Sequence, residues 1–138
     1  MKPSEHRELT VRAGLAEVDR VRAFLRDHLR SLALGEEDAL KVELSLHEIL
    51  VNIVRYAYPQ APGEMSVRIS EEPGSLVIEI RDSGVPFDPA GRPPTDIEEK
   101  LRRGSKGGLG VYLFKTLMDG FSYRREGGEN ILTIRKTL

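Results

Sequence analysis

Hydrophobic positions in the first third of the chain fall at two different spacings. Glu8-Leu9-Thr10-Val11-Arg12 alternates polar and apolar residues, the two-residue period of a strand with one buried face. From Leu15 to Leu34 the period changes. Val18, Val21, Leu25, Leu29 and Leu32 recur at steps of three and four, which predicts a helix with one apolar stripe and its arginines and aspartates elsewhere. Gly35 is expected to stop that helix as a left-handed C-terminal cap. The run EEDALKVELSLHEILVNIVRYAYP predicts a second, well-buried helix, opened by acids that the helix dipole favours and ended against Pro59.

Beyond Pro59 the two-residue period returns. Met65 to Ser70 and Ser75 to Asp82 predict a hairpin turning at Pro73-Gly74, and Phe121 to Arg125 and Asn130 to Lys136 predict another turning at Gly127-Gly128. Between the hairpins, Thr95 to Arg103 offers a short helix with Thr95 and Glu98 spaced as a capping box. Gly107-Gly108-Leu109-Gly110 then leads into an apolar helix running to about Met118. Three amphipathic helices with mostly hairpin-connected strands predict an α+β, two-layer sandwich. Helices would cover one face of a mixed, mostly antiparallel sheet, whose other face must be polar or covered by a partner. No repeat, low-complexity tract or boundary divides residues 1–138, which are read as a single domain.

Composition narrows the function classes. With 39% hydrophobic and 31% charged residues the chain suits a soluble globular protein rather than a disordered one. A net charge of −1 gives no field that would draw nucleic acid or a membrane surface. The absence of cysteine removes disulfides, thiolate chemistry and cysteine zinc sites. His6, His28 and His47 are scattered and form no ligand cluster. The N-terminus MKPSEHRELTV has no apolar core of a secretory signal, and no apolar run is long enough to span a bilayer, so a cytoplasmic location is expected.

Three constellations carry candidate chemistry. Asp82 ends a strand on the same face as Leu76, Ile78 and Ile80, the face turned toward the helices. A carboxylate there is costly unless specific donors answer it. Gly84 lets the backbone leave the strand at unusual angles and lets a flat ligand approach closely, although capping of the Asp-Ser-Gly turn accounts for the same residues. On the second helix, Glu48, Asn52, Arg55 and Tyr56 fall at i, i+4, i+7 and i+8, one stripe on an otherwise apolar helix. Glu48 suits a general base, Asn52 an oxygen ligand to Mg²⁺ and Arg55 a phosphate partner. A solvated helical face with a Glu–Arg pair is the competing reading. Finally, GSKGGLGVYLFKTL places glycines at a helix start, where free N–H groups and the helix dipole favour anions, with Lys106 as counter-charge. It lacks both the Gly-Lys-Ser/Thr of a Walker loop and the GxGxxG of dinucleotide folds.

In this chain order the constellations resemble the GHKL ATPase superfamily, and within it the anti-sigma factor serine/threonine kinases. HEILVNIVRYAYP resembles the N box of that group, RDSGVPFDP its first glycine box, and GGLGVYLFKTLMDGFSYRREGGENILTIRK its second. The resemblance implies the Bergerat ATP-binding fold, with ATP and Mg²⁺ as cofactors and residues 83–107 forming the ATP lid and glycine-rich loops. Asp82 would accept a hydrogen bond from the adenine amino group and Gly84 would flank the base. Gly107, Gly108 and Gly110 would cradle the phosphates, Asn52 would coordinate Mg²⁺, and Glu48 would take the proton of the attacking hydroxyl. Asn130, alternating with Leu132 and Ile134, would face inward near Asp82, where relatives often carry a polar residue, and with Tyr56 it counts among the expected nucleotide-binding residues. Tyr56 stands where this branch commonly has histidine and Pro86 where many members have glycine; Phe87 and Asp88 are candidates for shaping the lid.

The function implied is a partner-switching kinase. It would hold a sigma factor or another regulatory target and phosphorylate a serine or threonine of a STAS-domain antagonist, releasing it by added charge. Arg20 and Arg22 are candidate partner contacts, and a homodimer is the family expectation. The alternative is an interaction module, nucleotide-gated or nucleotide-independent, without kinase activity. Glu48 argues for catalysis, because binding alone needs no base.

Overall fold

In the computed structural model, residues 6–32, 34–58, 63–88 and 117–138 are described. Their elements are β1 (His6–Arg12), α1 (Leu15–Leu29), α2 (Glu36–Asn52) continued by a π turn (Ile53–Ala57), β2 (Glu64–Glu72), β3 (Ser75–Asp82), β4 (Gly120–Glu126) and β5 (Glu129–Thr137). The short helix expected over Thr95 to Arg103 lies outside the described residues, as does the helix expected to reach Met118 apart from Leu117 and Met118.

The strands form one sheet in the order β1-β2-β3-β5-β4. Each neighbouring pair is antiparallel, so among the described residues the sheet is uniformly antiparallel rather than mixed. Both hairpins turn where the sequence places them. Gly127 and Gly128 take φ of 59° and 78°, and two successive positive φ values suit the tight right-handed twist of a two-residue hairpin loop.

Alternation settles which side chains meet. Met65, Val67 and Ile69 of β2, Leu76, Ile78 and Ile80 of β3, and Leu132 and Ile134 of β5 are all buried. They are in direct register, Ile80 lying between Val67 and Leu132 and Ile78 between Ile69 and Ile134. The helices close over this face with Val18, Val21, Leu25 and Leu29 of α1 and Val42, Leu46, Ile49 and Leu50 of α2. Each fully buried aliphatic side chain is worth about 1.5–3 kcal/mol, and this layer is the main source of cohesion. The opposite face meets the polar alternative: Arg81 pairs with Glu79 and Glu129, and Arg135 with Glu72.

Two helix ends differ from expectation. Gly35 has φ −64° and stands before α2 as its N-terminal flank, not as a left-handed cap; α1 ends earlier, at Leu29, with Arg30 as its C-terminal cap. The short 30–35 connection turns the chain without a positive φ among its described residues. The α-helical part of the second run stops at Asn52, and the π turn carries the chain on to Ala57. No described helix is long and apolar enough to cross a membrane.

Candidate functional site

The start of α1 lies beside the end of α2, and a cleft of about 390 Å³ opens there. Leu15, Val18 and Val51 supply its apolar wall, and Glu48, Asn52 and Arg55 line it together. Three members of the stripe read from sequence are therefore assembled on one cavity. Asn52 is 2% exposed, and its Nδ2 has no hydrogen-bond partner among the described residues. Leaving such a group orphaned costs about 1–3 kcal/mol, so the side chain is suited to a ligand that completes it. His47, assigned no role from the sequence pattern, lines the same cleft, and its buried Nδ1 likewise has no partner among the described residues.

Tyr56 does not join them. A π turn takes more residues per revolution than an α turn, and Tyr56 packs its ring on Phe87, with centroids 5.4 Å apart and planes tilted by 35°. That contact brings the end of the helix onto the segment following β3. The approach is tightened at Gly84, where a Cβ would sit 2.2 Å from the Ala57 carbonyl oxygen. Val85 N–H donates to that same oxygen at 2.9 Å. Gly84 is thus required by the backbone packed against it. The described positive-φ residues are Gly74, Gly127 and Gly128, so the unusual backbone angle expected at Gly84 is not what selects it.

At the end of β3, Asp82 is 2% exposed and points to the helix side of the sheet, as alternation requires. Its Oδ1 accepts from Gly84 N–H at 3.0 Å and from Asn130 Nδ2 at 2.8 Å. Among the described residues Oδ2 accepts no hydrogen bond. Burial pushes the carboxyl above its ordinary range, against the pull of Asn130, the Gly84 amide and the Arg125 charge. Removing a carboxylate from water costs several kcal/mol even after relaxation. Each bond to a charged acceptor returns about 1.5–3 kcal/mol, so two bonds on one oxygen leave the group short of full compensation. An acceptor remains unused at the strand end.

Asn130 sits in register with Asp82 on β5 and is 3% exposed, inward as expected. Several supporting residues were not singled out by the sequence. Tyr123 Oη donates to Asn130 Oδ1 at 2.5 Å, and Arg125 donates to the Gly84 carbonyl at 2.7 Å. Tyr58 accepts from Ser83 N–H at 2.7 Å and donates to the Glu64 carbonyl at 2.6 Å, and burial raises its phenol above the usual range. Two-residue alternation along β4 was the available signal for Tyr123 and Arg125, which share the inner face. Arg22, offered as a partner contact, is instead engaged with Glu43 at 2.9 Å, and Arg20 lies 3.6 Å from Glu17. Lys106, Gly107, Gly108 and Gly110 lie outside the described residues.

Comparison with known proteins adds family and fold. Residues 11–136 match the histidine kinase-like ATPase domain. Among curated proteins, the chain is 26% identical over 136 residues to the serine-protein kinase RsbW of Bacillus cereus (strain AH820), covering 96% of this chain and 85% of that one. It is 27% identical over 138 residues to the RsbW of Bacillus thuringiensis (strain Al Hakam), at the same coverage. Among solved structures, the RsbU and RsbW domains of Rv1364c from Mycobacterium tuberculosis superpose with a TM-score of 0.70 at 17% identity, over 99% of this chain and 33% of that one. The SiaB–SiaC complex from Pseudomonas aeruginosa gives 0.56 at 16% identity, over 94% of this chain and 89% of the matched one. These likenesses bear out the resemblance read from the boxes and the two-layer fold read from the periodicity.

Proposed function

Because the chain belongs to the histidine kinase-like ATPase domain family, we propose that it is an ATP-dependent serine/threonine protein kinase of the partner-switching type. The observation that carries this reading is Asp82. A carboxylate buried at a strand end, held by amides on one oxygen and unanswered on the other, suits the amino group of adenine. Tyr56, Ala57 and Gly84 tie that end of β3 to the helix bearing Glu48, Asn52 and Arg55. Base recognition and phosphoryl chemistry are thereby assigned to two neighbouring parts of one helix–strand junction.

Among the described residues no cluster of three or more His, Asp or Glu could hold a metal. Magnesium in nucleotide sites commonly arrives on the phosphates and takes few protein ligands. Asn52 would offer such an ion its side-chain oxygen, while its buried, unpartnered Nδ2 is a donor that suits a phosphate oxygen; once bound the ion would neutralise charge on the phosphates. Glu48 stands one helical turn before it, placed to take the proton from a serine or threonine hydroxyl. Arg55, exposed on the same cleft, is a counter-charge for the phosphates. The cradle assigned to Gly107, Gly108 and Gly110 with Lys106 completes the proposal from sequence. The substrate protein is a STAS-domain antagonist, in keeping with the relatives named as serine-protein kinases, and a sigma factor or comparable regulator is the held target.

The experiment is transfer of ³²P from ATP to a purified STAS-domain partner. The wild type is expected to label it, and Glu48→Ala to bind Mg-ATP while losing transfer at least a hundredfold. Binding without transfer by the wild type would leave an interaction module.

A further inference from the structure

We propose that Asn130 is a positioning residue rather than a nucleotide ligand. Together with Tyr123 it locks the turn after β3, so that Asp82 presents its free oxygen before any nucleotide arrives. The inference rests on the nucleotide-binding reading and deepens it.

The argument is one of capacity. A side-chain amide has two N–H donors and one oxygen with two lone pairs. Nδ2 of Asn130 donates to Asp82 Oδ1 and to the Val85 carbonyl, both at 2.8 Å. Its Oδ1 accepts from Phe87 N–H at 3.1 Å and from the Tyr123 hydroxyl at 2.5 Å. All four positions are occupied by protein, which leaves nothing for a base. The orientation of the amide is fixed as well. Phe87 N–H can only donate, and the Asp82 carboxylate and Val85 carbonyl can only accept, so a reversed amide would oppose like with like at three of the four contacts; only the Tyr123 hydroxyl could adapt.

The turn is held from both sides. From the helix side Ala57 accepts from Val85 N–H at 2.9 Å. From the β4–β5 hairpin come the Asn130 bonds and the Arg125 bond to the Gly84 carbonyl. Because Asn130 and Gly84 both occupy Oδ1 of Asp82, the carboxylate cannot rotate, and Oδ2 alone remains as acceptor. Side chains ordered in advance need not be ordered on binding, which is worth several-fold to about tenfold in affinity.

A second signature separates this role from general support. The groups bearing on Asp82 are Asn130 and Glu129 on β5, Arg125 on β4, and Tyr58 beyond the π turn. Asn130 favours the charged carboxylate, whereas the Tyr123 hydroxyl bonds Asn130 and not the carboxylate. Removing the amide would raise the pH below which adenine recognition is lost, whereas removing the phenol hydroxyl would not.

The test is Mg-ATP affinity of the full chain between pH 5 and pH 8 for wild type, Tyr123→Phe and Asn130→Ala, with amide exchange at Phe87 and Gly84 followed by NMR. Tyr123→Phe is expected to weaken binding about fivefold at neutral pH with an unmoved acid midpoint. Asn130→Ala is expected to weaken it about thirtyfold with the midpoint shifted upward. Exchange at Phe87 should quicken about tenfold in both. Wild-type affinity in Asn130→Ala, or a loss with an unmoved midpoint, would overturn the proposal. If Asn130→Ala does not fold, unchanged affinity and unchanged Phe87 exchange in Tyr123→Phe overturn it. A wild type that binds no ATP removes the nucleotide reading alone; the exchange measurement still decides the lock.

Discussion

Among the described residues two carboxylates are buried, and their surroundings differ in kind. Glu43 on α2 is 9% exposed and is grasped by two arginines of α1: Arg22 at 2.9 Å and Arg26, whose Nη2 bonds the same oxygen while its Nε reaches the other at 3.4 Å. Asp82 on β3 is more deeply buried, and among the described residues it is bonded by no cation, only by an amide side chain and a backbone N–H. The Arg26 bond, aided by Arg22, draws the Glu43 carboxyl below its ordinary range, while burial drives Asp82 above its own. A charge answered inside the fold joins two helices. A charge left partly unanswered is an unmet demand that a ligand can satisfy, and perturbed groups of that kind mark functional sites.

The sharpest break between the two should appear on neutralising each. Glu43→Gln leaves two arginines facing an amide, so the melting temperature at pH 7 should fall by roughly 5–10 °C. Its ATP affinity should stay within about twofold of wild type. A variant as stable as wild type would reduce the α1–α2 clasp to a surface pair of little consequence. Next in size is Gly84→Ala, whose methyl must displace the Ala57 carbonyl. About tenfold weaker ATP binding and a melting temperature lower by roughly 3–5 °C are expected, measured by titration and calorimetry.

The smallest effect is in pH dependence, and its sign differs between the sites. Glu43, lowered in the folded state, contributes stability that is present above the ordinary carboxylate value and lost as pH falls through its lowered one. Asp82, raised in the folded state, contributes stability present below the ordinary value and lost as pH rises through its raised one. Melting temperatures taken from pH 7 toward pH 3 should therefore show Glu43→Gln below wild type and Asp82→Asn at or above it. Both gaps should close as the medium becomes acidic, that of Asp82 first. Gaps of the same sign would contradict the comparison.

Most of the architecture was legible because it depends on period. The alternation in Ser75 to Asp82 fixed which face Asp82 joins, and the acids at Glu36, Glu37 and Asp38 marked where α2 begins. What escaped depends on neighbours distant in sequence. A stripe counted at helical spacing carries Glu48, Asn52 and Arg55 onto one cleft but fails at Tyr56, whose ring packs on Phe87, a neighbour distant in sequence. Gly84 was assigned a conformational reason, when the decisive fact is the Ala57 carbonyl packed against it. Glu43 looked like one more helical acid. It is three and seven residues before the buried Leu46 and Leu50, which puts it on the inward side, and Arg22 and Arg26 stand one turn apart on the facing helix.

The most direct test of the central claim is calorimetric titration of Mg-ATP into wild type and Asp82→Asn at pH 7, with melting curves of both. The account predicts saturable binding by the wild type and at least a hundredfold loss in Asp82→Asn, which melts no lower. Folded wild type that takes up no Mg-ATP, or an Asp82→Asn variant that binds as wild type does, would contradict it.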